Sequence, residues 1–317
     1  MSPPSAIAAA FLARFVSSPV AAACLALLAA SSVAAQAPVP REYEAPRAPE
    51  APVVDGALDD PVWTVAPWTE DFVDIRGASH AEPPHRTRVR MLWDDRYLYV
   101  AAELDEPRLW GTLRERDAIV WKDDDFEVFL DPDGRGLAYY EVEVNALGTV
   151  LDLWLPRPYR LGGRARIDWD LRGLFAEVAL DGTLNDPSDR DRRWTVELAI
   201  PWSGLVPPPD ADGPAPRSGR PPKPGEVWRV NFSRVRWPLE VEGGQYGKEA
   251  GVPGEHPESN WVWSPQGEVD MHLPARWGRV RFVDGPPGGG GRHEAGDPDS
   301  PRTTSEPGGL NPDGGRS

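Results

Sequence analysis

The sequence predicts an all-β protein folded as an antiparallel β-sandwich, of jelly-roll or immunoglobulin-like architecture. Three observations predict it. Apolar and polar residues alternate with period two through ten short segments. Turn chemistry separates these segments, as at Asp94-Asp95, Asp133-Gly134, Ala146-Leu147-Gly148 and Asp181-Gly182. No long helical period interrupts them between residues 53 and 284, which is the pattern of a sandwich.

The elements follow in chain order. Residues 1–35 read as an export signal: Arg14 is the only charge before an apolar run over 21–30, and Val33-Ala34-Ala35 suits cleavage after Ala35. Cys24 follows three alanines, as a lipoprotein acceptor would, but the apolar run continues past it. Cleavage after Ala35 leaves an exported, secreted or periplasmic chain without cysteine, which excludes disulfides and thiolate metal sites. Residues 36–52, rich in Pro, Ala and Glu, read as a linker. The sandwich domain spans 53–284. Segment 87–93 places Val89, Met91 and Trp93 on one face; 97–104 does the same with Leu98, Val100, Ala102 and Leu104. Segments 125–131 and 140–144 turn Phe126, Val128, Leu130, Val142 and Val144 inward. Further strands are expected at 149–155, 174–180, 194–200, 227–233, 260–263 and 278–283. Residues 206–225 carry eight prolines and read as a surface loop, and the Gly-rich, polar stretch 285–317 as a disordered tail. Beyond the signal, no stretch reaches the roughly 20 apolar residues that span a bilayer.

Composition narrows the function. A net charge of −16 repels phosphate backbones and argues against nucleic acid. Fourteen tryptophans are more than a core of this size asks for. Indole is a flat apolar plate with an N–H that needs a partner. In an exported acidic chain this surplus points to a polar, ring-shaped ligand, a poly- or oligosaccharide.

The candidate site is the hairpin of 125–145. Its inward face is apolar; its outward face carries Asp125, Glu127, Glu141, Glu143 and Asn145. Like charges across a strand pair are destabilising, so either solvation or a ligand compensates them. Carboxylates and an amide suit vicinal hydroxyls through charge-assisted hydrogen bonds. Trp121 precedes this hairpin in a polar loop, and Trp261 and Trp263 lie on one side of a late strand, where two indoles could sandwich a pyranose.

Several motifs resemble family 9 carbohydrate-binding modules: Val54-Asp55-Gly56-Ala57-Leu58-Asp59-Asp60-Pro61-Val62-Trp63, Leu92-Trp93-Asp94-Asp95-Arg96-Tyr97-Leu98-Tyr99-Val100, Asp125-Phe126-Glu127-Val128-Phe129-Leu130-Asp131, and Trp261-Val262-Trp263-Ser264-Pro265 through Trp277-Gly278-Arg279-Val280-Arg281-Phe282. The resemblance covers residues 53 to about 284 and implies a sugar-binding, DOMON-like sandwich, with structural calcium and a glycoside hydrolase as partner. By position it implies Trp121 and Trp263 as the stacking pair, Glu127 as a hydrogen-bonding carboxylate and Asn145 as a neighbouring amide, with Trp261 in reserve. The chain departs from the pattern at Glu143, where a basic residue is expected.

Three other readings compete. Asp131-Pro132-Asp133-Gly134 and Asn185-Asp186-Pro187-Ser188-Asp189 are oxygen-rich, but Arg135 breaks the calcium-loop spacing and both suit turns. Glycoside hydrolysis needs two carboxylates about 5–9.5 Å apart, and Glu127 with Glu143 is the pair to test. Haem ligation would draw on Met91, Met271, His80, His85, His256 and His272, although Met91 falls in an alternating core pattern.

Overall fold

In the computed structural model, the residues described are 37–211, 219–251 and 257–285. The chain divides into two units, Met1–Pro38 and Val39–Ser317, and every element below belongs to the second. The export signal, the tail from 286, His256 and residues 212–218 of the Pro-rich loop lie outside the described residues.

Fourteen strands form among the described residues, joined by loops and helical turns of three to five residues. They are β1 (Glu42–Pro46), β2 (Val73–Asp74), β3 (Thr87–Trp93), β4 (Tyr97–Asp105), β5 (Asp125–Asp131), β6 (Tyr139–Asn145), β7 (Val150–Leu155), β8 (Phe175–Asp181), β9 (Arg193–Pro201), β10 (Val227–Arg236), β11 (Leu239–Glu242), β12 (Gln245–Lys248), β13 (Ser259–Val262) and β14 (Gly278–Val283). The larger sheet runs β1-β14-β10-β5-β6-β7, with β13 on β10 and β2 on β13; the smaller runs β3-β4-β9-β8. Strands β11 and β12 form a separate hairpin.

Period-two alternation built this core. Val89, Met91 and Trp93 of β3, with alternate residues of β4 and β9, pack against Phe126, Val128 and Leu130 of β5 and alternate residues of β6, β10 and β14. Met91 lies in this layer, as its alternation with Val89 and Trp93 predicts. The linker reading of 36–52 needs correction. Residues 42–46 form β1, parallel to β14, and bury Tyr43 and Ala45 in the core. Two apolar residues among Pro, Ala and Glu suffice because the sheet edge supplies the backbone partners.

Both outer faces of the sheets are covered as well. On the smaller sheet Trp63, Leu92, Tyr99 and Ala199 form a second apolar layer. Its polar centre is Glu197, which accepts hydrogen bonds from Trp63 Nε1 at 2.7 Å and from the Asp55 and Gly56 amides at 3.0 Å. Gly56 has φ +85°, and a Cβ there would stand 2.6 Å from the Val178 carbonyl carbon. The Val54-Asp55-Gly56 motif is therefore a backbone clasp on Glu197. Gly56→Ala is expected to destabilise the domain by about 2–3 kcal/mol, read from urea unfolding, because strain and a backbone clash coincide.

Candidate functional site

The outer face of β5-β6-β7 holds the predicted acidic residues, but solvent does not cover it. Asp125, Glu127, Glu141, Glu143 and Asn145 are all buried. On the same face Phe129, Tyr139, Leu151, Leu153 and Leu155 join Ile75, Val262, Met271 and Trp277 in a further apolar layer. Loops carrying Ile119, Tyr159, Ala165, Met271 and His272 close over it, leaving a cavity of about 580 Å³ lined by Glu127, Glu141 and Glu143. That volume falls in the range of small-molecule sites.

Strand register fixes the carboxylates. Glu127 of β5 lies directly opposite Glu143 of β6 and Ser233 of β10; Glu141 is opposite Phe129, and Asp125 opposite Asn145. One oxygen each of Asp125, Glu127 and Glu143 lies within 4.8 Å of the others. Burial raises the pKa of all four carboxyls, that of Glu127 to about 7. Neighbouring carboxylates push those of Asp125, Glu141 and Glu143 further up. Hydrogen bonding leaves Asp125 Oδ2, Glu141 Oε2 and Glu143 Oε2 without a partner.

Trp121 borders the acidic floor. It sits in the helical turn Val120–Lys122, lines the cavity and keeps 41% of its surface exposed. Its carbonyl accepts from Trp237 Nε1 at 3.0 Å, and its backbone also bonds to Glu143. The tryptophan platform is thus tied by its main chain to the acidic floor.

Trp263 and Trp261 require correction. The sequence places them on one side of their strand, and they are, but that side is the core. Trp263 is fully buried, 6.5 Å edge-on from Tyr43 and 5.9 Å from Phe232. A Cβ on Gly278 would fall 2.2 Å from its ring, so the indole occupies the space that this glycine leaves. Trp261 is 5% exposed, with the Arg234 guanidinium 5.0 Å from its ring centre. The alternate residue Asn260 faces the cavity instead. A strand's parity decides which residues reach a site, and here it selects the amide.

Asn145 is corrected too. Its Nδ2 donates to the Leu113 carbonyl at 2.8 Å and to Asp123 Oδ2 at 3.1 Å. Its Oδ1 accepts from the Leu147 and Thr149 amides, both at 3.0 Å. An amide offers two donors and two acceptor lone pairs, so none is left for a sugar. Asn145 instead holds the 111–124 loop that carries Trp121.

Tyr159 is the residue that pattern reading missed. It lines the cavity at 47% exposure, in the helical turn Tyr159–Leu161, and meets the His272 ring edge-on at 4.4 Å. It follows a Pro-Arg-Pro stretch with no periodicity to mark it; only its being an aromatic in a polar loop signals it.

His272 stays neutral beneath this rim. Burial lowers its pKa to about 4, and its Nδ1 lies 3.0 Å from the Tyr139 hydroxyl. With a folded pKa below the unfolded value near 6.5, the unfolded chain binds the extra proton between them. Stability from this group is full above pH 6.5 and lost as pH falls towards 4. His272→Asn should remove about 2 kcal/mol of the stability change between pH 7 and 4.5, measured as the wild-type-minus-variant difference in urea unfolding.

The calcium-like loops serve as turns. Asp131 Oδ2 accepts from the Gly136 amide at 2.7 Å, and Asp133 pairs with Arg135 at 2.5 Å. Asn185 bridges the Gly111 amide and carbonyl at 3.1 and 2.9 Å, while Asp186 accepts from the Ser188 amide. Among the described residues, Asp125, Glu127 and Glu143 bring one carboxylate oxygen each close enough together to hold a metal ion.

Residues 54–152 match the family described as "Carbohydrate family 9 binding domain-like". The chain carries a carbohydrate family 9 binding domain-like segment. This family 9-like segment includes Trp121, Glu127, Glu143 and Asn145 and ends before Tyr159, Trp261 and Trp263. The chain is 26% identical over 157 residues to an endo-1,4-beta-xylanase A of Thermoanaerobacterium saccharolyticum, covering 49% of this chain and 11% of that enzyme. It thus spans about a tenth of that curated relative's length. Among solved structures, one from Bacteroides uniformis, provisionally described as a carbohydrate-binding protein, shares the fold with a TM-score of 0.52. The likeness has 14% identity and covers 77% of this chain and 99% of that one. A family 9 module from Caldicellulosiruptor kristjanssonii in complex with cellotriose is similar at a TM-score of 0.46 and 16% identity, covering 82% of this chain and all of that one.

Proposed function

We propose that this domain binds carbohydrate without cleaving it, in the cavity beside Trp121, as part of an exported protein that assists polysaccharide breakdown. One observation carries the reading: a half-exposed indole of the family 9-like segment rims a cavity floored by carboxylates of the same segment. Trp121 stacks on a sugar ring, with Tyr159 as the second aromatic of the rim. Glu127, Glu141, Glu143 and Asn260 provide hydrogen-bonding groups for its hydroxyls. A small open site of this kind should bind with roughly −4 to −8 kcal/mol, millimolar to micromolar. Calorimetry against xylo- and cello-oligosaccharides, chosen because the curated relatives are named xylanases and an exoglucanase, should show saturable binding. No heat with any sugar would overturn the reading.

Hydrolysis is the second reading, favoured by the Glu127–Glu143 pair. One oxygen of each lies within 4.8 Å of one of the other, a closeness that favours the retaining geometry of ~5–5.5 Å over the wider inverting one. Release of reducing ends from those oligosaccharides, lost in Glu127→Gln, would replace binding by catalysis. The binding reading predicts no product.

A further inference from the structure

We propose that a second cavity, of about 520 Å³ beside the end of β7, binds an anionic sugar of the uronic-acid class. The path of the chain builds it. After Leu155 the chain leaves β7, passes through the turn Tyr159–Leu161 and a left-handed Gly162, and returns to β7. There Arg166 and Trp154 exchange two backbone hydrogen bonds, at 2.9 and 3.3 Å. The loop closed in this way lines two cavities. Ala165 and Ile167 line the first, whereas Arg164 and Arg166 line the second. Successive side chains of an extended segment point opposite ways, which sorts the arginines to one side.

Charge is the first observation that points to an anion. Arg135, Arg157, Arg164 and Arg166 line this cavity against one carboxylate, Asp210, in a chain of net charge −16. Asp133 pairs with Arg135, while Asp168 and Asp210 pair with Arg166 at 2.9 and 3.1 Å. Among the described residues no ion pair reaches Arg157 or Arg164. Their two guanidinium forks match the planar, bidentate geometry of a carboxylate.

A buried donor is the second. Trp154 lines the cavity at 3% exposure, and its Nε1 is buried without a partner. An indole N–H can only donate, and leaving it unmet carries its desolvation cost, so the site calls for an acceptor oxygen. Arginines and an indole together form a donor-only set.

The third is apolar lining. Leu137, Pro156 and Ala211 stand among the arginines. A pyranose carrying a carboxylate has C–H surface to bury there, and a bare oxyanion has none. The negative charge of the whole chain repels an extended polyanion, which favours an isolated carboxylate on an otherwise neutral glycan. That the ligand is a sugar rests on the carbohydrate reading; the anion site does not.

The test keeps the two cavities apart. Sodium glucuronate, glucose and inorganic phosphate are each titrated by calorimetry into Trp121→Ala, where the first cavity is impaired, and into Trp121→Ala that also carries Arg157→Gln and Arg164→Gln. Both arginines are exposed, so the added substitutions are expected to leave folding intact, which melting curves verify. Should the combination fail to fold, each arginine variant alone decides. Glucuronate should bind Trp121→Ala more tightly than glucose or phosphate does, and loss of the arginines should weaken it about tenfold or more. Equal glucuronate affinity with and without the arginines would overturn the site, as would no glucuronate binding at all. Phosphate binding as tightly as glucuronate would reduce it to a simple oxyanion site and overturn the uronic-acid assignment. Failure of neutral oligosaccharides to bind wild type would leave the arginine dependence untouched, so the two readings fail separately.

Discussion

Trp263→Ala is expected to destabilise the domain by about 4 kcal/mol, the middle of the range for deleting a buried aromatic side chain. The indole is fully buried between Tyr43 and Phe232, and its Nε1 lies 3.3 Å from Glu70 Oε2. Its surroundings cannot collapse freely, since Gly278 holds the β14 backbone against the ring. β10 and β1 also meet this ring, through Phe232 and Tyr43. Chemical unfolding should report a large fall in stability. A stable Trp263→Ala that loses sugar binding would restore Trp263 as a platform.

Glu106→Leu should cost about 3–5 kcal/mol, because it strands a buried guanidinium. Glu106 Oε2 accepts from Arg234 at 2.6 Å and from Arg236 at 2.8 Å, and Arg234 is wholly buried. Arg234 also donates to Thr87 Oγ1 and to the Asp105 carbonyl, at 2.9 and 3.0 Å, linking β10 to the smaller sheet. Replacing both partners, as Glu106→Leu with Arg234→Met, should recover part of the loss, since the wholly buried charge is then gone and only the less buried Arg236 loses its partner. The cluster lies next to the site. Asp124 feels the charges of Glu106, Arg234 and Arg236 and accepts from the Trp237 amide at 2.7 Å, anchoring the start of β5 just before Asp125. Denaturant midpoints of the two single variants and the double complete the cycle.

The strands were legible because alternation is local. The bounds of β3, β5 and β14 follow directly from residues such as Val89-Met91-Trp93 and Phe126-Val128-Leu130. β1 was not legible: its place depends on the partner β14, more than 200 residues away, rather than on its own pattern. The acidic face was readable as a face, since parity puts Glu127, Glu141 and Glu143 together. Its burial was not, because the loops that cover it, around Ile119, Tyr159 and Met271, have no period. The same limit misplaced Trp263 and Asn145. Residue type and spacing can suggest a platform or a hydroxyl ligand, but only packing shows that an indole faces inward or that an amide's four hydrogen bonds are already made.

Titrating the tightest-binding oligosaccharide into wild type and Trp121→Ala, side by side by calorimetry, tests the central claim most directly. Trp121 is an exposed indole lining the cavity and belongs to none of the buried apolar layers. Binding should weaken by about 2 kcal/mol, roughly 30-fold, with the unfolding midpoint unchanged. Unaltered affinity in a folded Trp121→Ala would contradict the account and move the sugar elsewhere.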